Sequence, residues 1–410
     1  MAETVPAAPA FWRAAFRALR HPYFRRYWVG WAISVLGSWM QTLAQGWLVF
    51  RLSHSPQALG FLTALRFGPS LVGLPFAGVL TDYFPRRRLL MVTQSASILQ
   101  ATVLAVLTLT GAVQIWHVFV LALVQGLIDA VDMPSRQSFQ VELVPVADLQ
   151  SAVSLNSTVF NAGRLVGPAL AGLVVAEFGE GWCFALNAAS FLPFLAAVVA
   201  VPEPERSSGG KLEFVPQLVE GVRFAWQHGK IRRLLVAVFV TAVFGLSYST
   251  LLPAFASKIL GADAKGYGLL LAASGLGAMV GSLSVAAFER RRGTVVRAQM
   301  LLAVALGVLA ASKALALAAA ALVVAGLAVA AQLATTNGYI QTSAPDHLRA
   351  RLISLYIWLF SGGTPLGGLV AGFVAERWGI ASALGLGALL SAGAALVPVL
   401  FRAVRVQRGR

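Results

Sequence analysis

Carboxylates are scarce in this chain. Asp and Glu total 16 among 410 residues, against 32 Lys and Arg, and charged residues make up only 12%. That is about half the charged share of an ordinary soluble domain, so a large water-solvated surface is excluded. Cysteine is nearly absent. Cys183 stands alone, which rules out an intramolecular disulfide and a Cys-based metal framework; lying in an apolar stretch, it reads as a small packing residue. The five histidines, at 21, 54, 117, 228 and 347, fall at no metal-binding spacing. There is no phosphate loop and no catalytic constellation. The chain therefore does not read as an enzyme, and neither a cofactor nor a metal is expected. The N-terminal residues lack the apolar core of a cleavable signal, so no segment is expected to be removed.

What the chain has in abundance is apolar length. Hydrophobic residues are 58% of it. A helix crosses the roughly 30 Å hydrocarbon layer in about 20 apolar residues. Twelve stretches qualify: 27–50, 58–80, 89–110, 114–134, 152–177, 182–201, 233–257, 266–288, 296–313, 315–341, 353–375 and 380–401. The expectation is an all-α membrane protein of twelve spans. Its net charge of +16 does not point to nucleic acid, because no aqueous domain is left to present a groove reader. Of the 32 Lys and Arg, 25 fall on the side that would hold both termini and 5 on the other, with Arg66 and Arg164 inside spans. Positive-inside bias places both termini in the cytoplasm of the cell's inner membrane. Phe11, Ala15 and Leu19, interleaved with Arg13, Arg17 and Arg20, suggest a short interfacial helix on the anionic leaflet, although a plain basic tail would look similar.

One extended polar stretch divides the chain. The expected organisation is a cytoplasmic segment 1–26, a six-helix bundle 27–201, a linker 202–232, a second six-helix bundle 233–401 and a tail 402–410. In the linker, Pro202, Pro204, Gly209 and Gly210 oppose regular structure. Val215, Leu218, Val219, Val222 and Trp226 then recur at helical spacing, which predicts an amphipathic helix on the inner surface. The bundles echo each other. At an offset of 200 residues, Pro145, Ser154, Leu155, Phe160, Gly163, Gly167, Ala171, Gly172 and Val174 meet identical residues. At an offset of 204, the arginines 86, 87 and 88 after the second span meet 290, 291 and 292 after the eighth. Two parallel six-helix repeats are the symmetry of a rocking transporter with a central site.

Charge inside a bilayer costs roughly 2.5–3.5 kcal/mol per residue on insertion scales and needs a reason. Arg66, Asp129 and Arg164 are the candidates. Gln125, Asp129 and Asp132 share one helix face, as do Ser157, Asn161 and Arg164; Ser34, Ser38, Gln41 and Gln45 form a stripe along the first span. Such stripes face either a water-filled cavity or partner helices. Gln41, Gln45, Arg66, Gln125, Asp129, Asn161 and Arg164 are thus the expected substrate and proton pathway. The rival reading is an interhelical hydrogen-bond network, with Asp129 paired to Arg136 or Arg164.

Two motifs close the argument. Gly78 and Asp82 end the second span, followed by Arg86, Arg87 and Arg88; Gly78 permits close helix approach, and an acid suits a neighbouring helix N-terminus or an Arg. Gly163, Gly167, Pro168 and Gly172 line the fifth span, where small residues let backbones pack and proline frees a carbonyl. The first segment resembles the gating loop of the major facilitator superfamily, with Tyr83 and Pro85 departing from its pattern. The second is similar to the superfamily's antiporter motif, associated with export. The stretches Asp129–Gln137, Leu143–Pro145, Ala152–Ser157, Phe184–Ala188 and Glu220–Phe224 resemble the branch of siderophore and macrolide exporters, also called transmembrane secretion effector. The resemblance implies a latch role for Asp82. It also implies an Arg in the fourth span of proton antiporters, and that position is Ala122 here.

The expectation is a secondary active transporter that exports a small molecule, siderophore or drug-like, by alternating access, coupled to H+ antiport. It would work as a monomer among membrane lipids. An importer, a non-transporting scaffold and a channel stay open as alternatives; the lack of a filter-like loop argues against the last.

Overall fold

A computed structural model describes residues 15–202, 214–287 and 293–408, with side chains at 72, 74–83, 214–219, 285–287 and 397–408 outside the described residues. Thirteen helices carry the fold: α1 Pro22–Ser53, α2 Pro56–Tyr83, α3 Arg86–Leu109, α4 Ile115–Glu142, α5 Leu149–Phe178, α6 Glu180–Val199, α7 Phe214–Gln227, α8 Gly229–Lys258, α9 Ala264–Ala287, α10 Thr294–Ala311, α11 Leu315–Ser343, α12 Asp346–Trp378 and α13 Ile380–Arg408. There is no strand among the described residues. Nine helices there, α3–α6 and α8–α12, are long and apolar enough to cross a membrane. The expected first, second and twelfth spans are helical as well, as α1, α2 and α13. In α1 the polar stripe lowers the hydropathy, yet Ser34, Gln41 and Gln45 are buried against neighbouring helices.

Packing within α1–α6 sets the helix directions. Gly30 of α1 lies against Pro193 and Phe194 of α6, and Gly37 against Asn187 and Ser190, so these helices run antiparallel. Gly163 and Gly167 of α5 abut Val35 and Trp39 of α1 in parallel register. A Cβ at Gly30 would come within 2.8 Å of a backbone atom; the absence of a side chain is what allows the contact. Arg87 donates to the C-terminal carbonyls of α6, Val198 at 3.2 Å and Val199 at 2.6 Å, where a cation favours the helix dipole. Arg86 pairs with Glu142 at the end of α4. We call this end of the bundle, where α1 begins, the terminal end, and the opposite one the distal end.

The turns after α5 and α12 match. Gly179 has φ of 87° and Gly379 of 90°, and each N–H bonds the carbonyl four residues back at 3.0 Å, of Val175 and Ala375. Only glycine takes this backbone without strain. Helix α8 is interrupted by a π-helical turn over Thr241–Gly245. There, Gly367 of α12 abuts the carbonyl of Val243, and Gly387 of α13 that of Phe244.

Two expectations change. The N-terminal segment forms a 3₁₀ turn over Arg17–Arg20 instead of a free amphipathic helix. Ala18 is fully buried, its N–H donates to Ser151 Oγ at 3.1 Å, and His21 bonds Asp148 at 2.8 Å. The segment is docked on the α4–α5 turn; Phe11 and Arg13 lie outside the described residues. The linker helix α7 forms as expected, but Val222 and Trp226 are exposed while Gly221 and Ala225 are buried. Residues 203–213 and the arginines at 290, 291 and 292 lie outside the described residues.

Candidate functional site

The charged residues within the expected spans do not pair as their sequence neighbourhood would suggest. Arg66 of α2 pairs with Asp129 of α4, not Arg136 or Arg164. Glycine makes this possible: a Cβ at Gly126 would stand 2.5 Å from the carbonyl oxygen of Arg66, so α2 and α4 touch backbone to backbone beside the pair. Gln125, one turn before Asp129, donates from Nε2 to Asp129 Oδ1 at 2.9 Å and to Ser97 Oγ at 3.3 Å. Its own Oε1 is buried with no bond among the described residues. The Arg66 and Asp129 side chains keep 21% and 35% of their surface, so the protein covers the pair only in part. Arg136 instead serves Asp132 at 3.2 Å. Asp132 also accepts from Thr93 Oγ1 at 2.8 Å and Gln94 Nε2 at 2.7 Å and is nearly sealed.

Arg164 is different. It is half-buried on α5 and has no hydrogen bond or ion pair among the described residues. Pro168 removes the donor that would bond the Arg164 carbonyl four residues back. That carbonyl faces α9, where a Cβ at Gly275 would lie 2.8 Å from it. Asn161, one turn earlier, turns its Nδ2 back to Ser157 O at 2.8 Å.

Gln41 and Gln45 sit in a buried network. Gln41 Oε1 accepts from Asn187 Nδ2 at 2.8 Å, and its Nε2 donates to Gln100 Oε1 at 3.1 Å. Gln100 passes a bond on to Leu121 O at 3.2 Å, and Gln45 Nε2 reaches Val118 O at 3.5 Å. These amides tie α1 to α3, α4 and α6, and both glutamines are buried. Of the expected pathway, the structure brings Arg66, Gln125 and Asp129 together, leaves Arg164 and Asn161 on α5, and puts Gln41 and Gln45 between helices.

Helices α1–α6 meet α8–α13 along two matched seams. In one, a Cβ at Gly60 of α2 would lie 2.5 Å from Gly368 O and 3.3 Å from Gly372 Cα of α12. In the other, a Cβ at Gly268 of α9 would lie 2.6 Å from Pro168 O and 3.0 Å from Gly172 Cα of α5. Positions 168 and 172 stand 200 residues from 368 and 372. The fifth-span motif therefore splits: Gly163 and Gly167 face α1, while Gly172 faces α9. At the distal rim, Glu376 accepts from Ser55 Oγ at 2.7 Å and from the Gln57 N–H at 3.2 Å. Lys265 donates to Glu177 at 2.6 Å and Lys258 to His54 O at 2.8 Å. Deeper in, Thr63 bonds Thr250 at 3.2 Å, and Trp358 Nε1 donates to Leu71 O at 3.2 Å.

Sequence reasoning missed Gly60, Gly268 and Glu376. The two glycines are 208 residues apart, so neither repeat offset aligns them, and a lone Glu at a helix end looks like a solvated charge. Gly78 and Asp82 fall in the last turns of α2, where side chains lie outside the described residues, so only the backbone of the expected gating segment is described. Among the described residues no cluster of His, Cys, Asp or Glu could hold a metal ion.

Comparison with known proteins agrees with this architecture. A bacterial homologue of the human lysosomal transporter Spinster, solved in an inward-facing, unoccupied conformation, superposes with a TM-score of 0.71 over 92% of this chain and 95% of its own, at 15% identity. A D-xylose–proton symporter superposes at 0.70, covering 92% and 97%, at 14% identity. These likenesses concern the fold alone. In sequence, the multidrug efflux pump Tap of Mycolicibacterium fortuitum is 30% identical across 84% of this chain and 87% of its own. The staphyloferrin A transporter of Staphylococcus aureus is 27% identical with the same coverage, and the enterobactin exporter of Shigella flexneri is 24% identical across 64% and 62%. The transmembrane secretion effector family matches residues 13–408. The chain belongs to that family of the major facilitator superfamily, and it is a multi-pass membrane transporter, not an enzyme.

Proposed function

We propose that this chain is a secondary active exporter working by alternating access, with H+ antiport as its energy source. In this reading α1–α6 and α8–α13 each cross the membrane six times, as the bundles 27–201 and 233–401, and act as one monomer. Both termini lie in the cytoplasm, because the Lys and Arg residues crowd the terminal end. The matched glycine seams and matched Gly179 and Gly379 turns support two related halves. Among the described residues, the contacts holding the halves together gather toward the distal end, which supports a state closed to the outside.

One observation carries the chemistry. The intramembrane Arg164 has no partner among the described residues, while the other intramembrane cation, Arg66, is matched by Asp129. A guanidinium held at membrane depth without an anion is costly unless water or a ligand offsets it, and its planar fork suits oxygen acceptors. The preferred cargo is a large apolar body bearing an acidic or electron-rich polar group, of catecholate-like or carboxylated type. A siderophore, the cargo type of two of the relatives, fits such a class; neutral and cationic drugs, which a multidrug pump such as the third could carry, fit it less well.

Asp129 is the proton site in this reading. A proton returning along the path through Asp129 after the cargo has left resets the protein. The test uses inside-out vesicles with an imposed pH gradient. Asp129→Asn is expected to retain cargo binding and lose gradient-driven accumulation. Unchanged accumulation would make Asp129 structural, and absence of any flux in wild type across an acidic-compound panel would favour a scaffold.

A further inference from the structure

The corner between α7 and α8 has a composition that export does not use. Helix α7 buries Gly221 and Ala225 against the C-terminal helices, where a Cβ at Gly221 would lie 3.3 Å from Arg351 Cβ. Glu220 pairs with Arg351 of α12, so the helix is pinned. On the adjoining flank, one turn apart, Val222 is 41% and Trp226 67% exposed. Arg232 sits over the Trp226 ring at 5.6 Å and donates from Nη1 to Trp226 O at 3.3 Å. Arg223 and Arg233 are exposed nearby. Within 220–233 the one carboxylate is Glu220, and Arg351 already holds it.

We infer that this corner is a binding site for an anionic phospholipid. An exposed indole and valine on the flank between the bundle-facing and water-facing sides of a pinned helix match acyl chains near the membrane interface. The guanidinium beside the indole uses one N–H on Trp226 O and has others to offer, and a fork of such donors matches a phosphate. Three exposed arginines with no free carboxylate within 220–233 favour an anionic over a zwitterionic headgroup, as juxtamembrane basic clusters do. The inference rests on the membrane location alone and stands whether or not the chain exports. Because Arg351 belongs to α12, whose far end carries Gly368, Gly372 and Glu376, lipid bound here loads the same helix that closes the distal end.

The experiment is native mass spectrometry of the full chain, titrated with phosphatidylglycerol or with phosphatidylcholine of identical acyl chains. Wild type is expected to hold one phosphatidylglycerol at least about tenfold more tightly than phosphatidylcholine. Arg223→Gln/Arg232→Gln/Arg233→Gln should lose that difference, while Arg25→Gln/Arg26→Gln on the same face should keep it. The charge-keeping Arg223→Lys/Arg232→Lys/Arg233→Lys variant should retain most of it, which separates charge from misfolding. Inorganic phosphate in excess should not displace the lipid. Equal retention of the two lipids by wild type, an undiminished preference in the Gln variant, its loss in the Lys variant, or displacement by inorganic phosphate would each overturn the site.

Discussion

Adding one methyl group to either distal seam should open the distal end. In Gly268→Ala the new Cβ meets Pro168 O at 2.6 Å and Gly172 Cα at 3.0 Å. Both are backbone atoms of a long helix, so no side chain can swing away. Ordinary contact begins at about 3.4 Å, so α5 and α9 must part by several tenths of an ångström. Overpacking of this kind costs about 1–3 kcal/mol. In a rigid protein the cost would fall on stability. In an alternating-access protein the distal-open state releases the contact, so the cost falls on the closed state alone. At about 1.4 kcal/mol per tenfold, the closed-to-open ratio should drop by roughly 5- to 150-fold. Gly60→Ala, with Gly368 O at 2.5 Å, should do the same, and the pair together should shift it further. Gly307→Ala is the control, since nothing lies within 4 Å of its Cβ. The single buried cysteine, Cys183, is replaced by serine, and spin labels at Ala112 and Lys313 report the distance across the distal face. Unchanged distance distributions in both seam variants would refute the reasoning, and so would an equal shift in Gly307→Ala.

Asp82→Asn should slow turnover several-fold while leaving membrane insertion intact, measured as flux per inserted protein; equal flux removes the latch role. Gln41→Leu should leave Asn187 Nδ2 and Gln100 Oε1 unpaired, at about 1–3 kcal/mol for each buried group. A lower thermal midpoint in detergent with unchanged cargo preference is the expected outcome, and the reverse pattern would put Gln41 in the pathway. Arg164→Gln should abolish the preference for an acidic compound over its neutral ester, a factor of roughly 10 or more if one charged hydrogen bond is lost. Binding of both compounds by wild type and variant decides it.

Hydropathy located the helices but not their ends. The span expected over 114–134 continues to Glu142, passing through Pro134, and the span over 353–375 begins at Asp346. A hydropathy window sees the hydrocarbon layer, whereas the helix goes on as long as its backbone bonds are satisfied and polar side chains can face water. The π turn at Thr241–Gly245 had no signal at all. It is set where α12 and α13 bring Gly367 and Gly387 against α8 carbonyls, and no residue pattern within the helix records that. The matching turns at Gly179 and Gly379, by contrast, were legible in principle, since a glycine between two apolar runs is a helix stop.

The charges show the same division more sharply. That Arg66, Asp129 and Arg164 need a reason follows from composition alone, because each breaks an apolar span. Which two share a bond does not follow, because helix rotation and neighbour choice decide it. Residue spacing offered Arg136 to Asp129, but Arg136 lies one turn beyond Asp132 and is taken by it at 3.2 Å. Gly126 then brings α2 against α4 and delivers Arg66 instead. Once Asp129 and Asp132 are engaged, Arg164 is left over, on a helix whose Pro168 has already freed the Arg164 carbonyl toward α9. The residue without a partner among the described residues therefore lies on one of the helix pairs that join the halves. A charge there is balanced differently when the halves separate, which is what coupling between cargo and conformation requires.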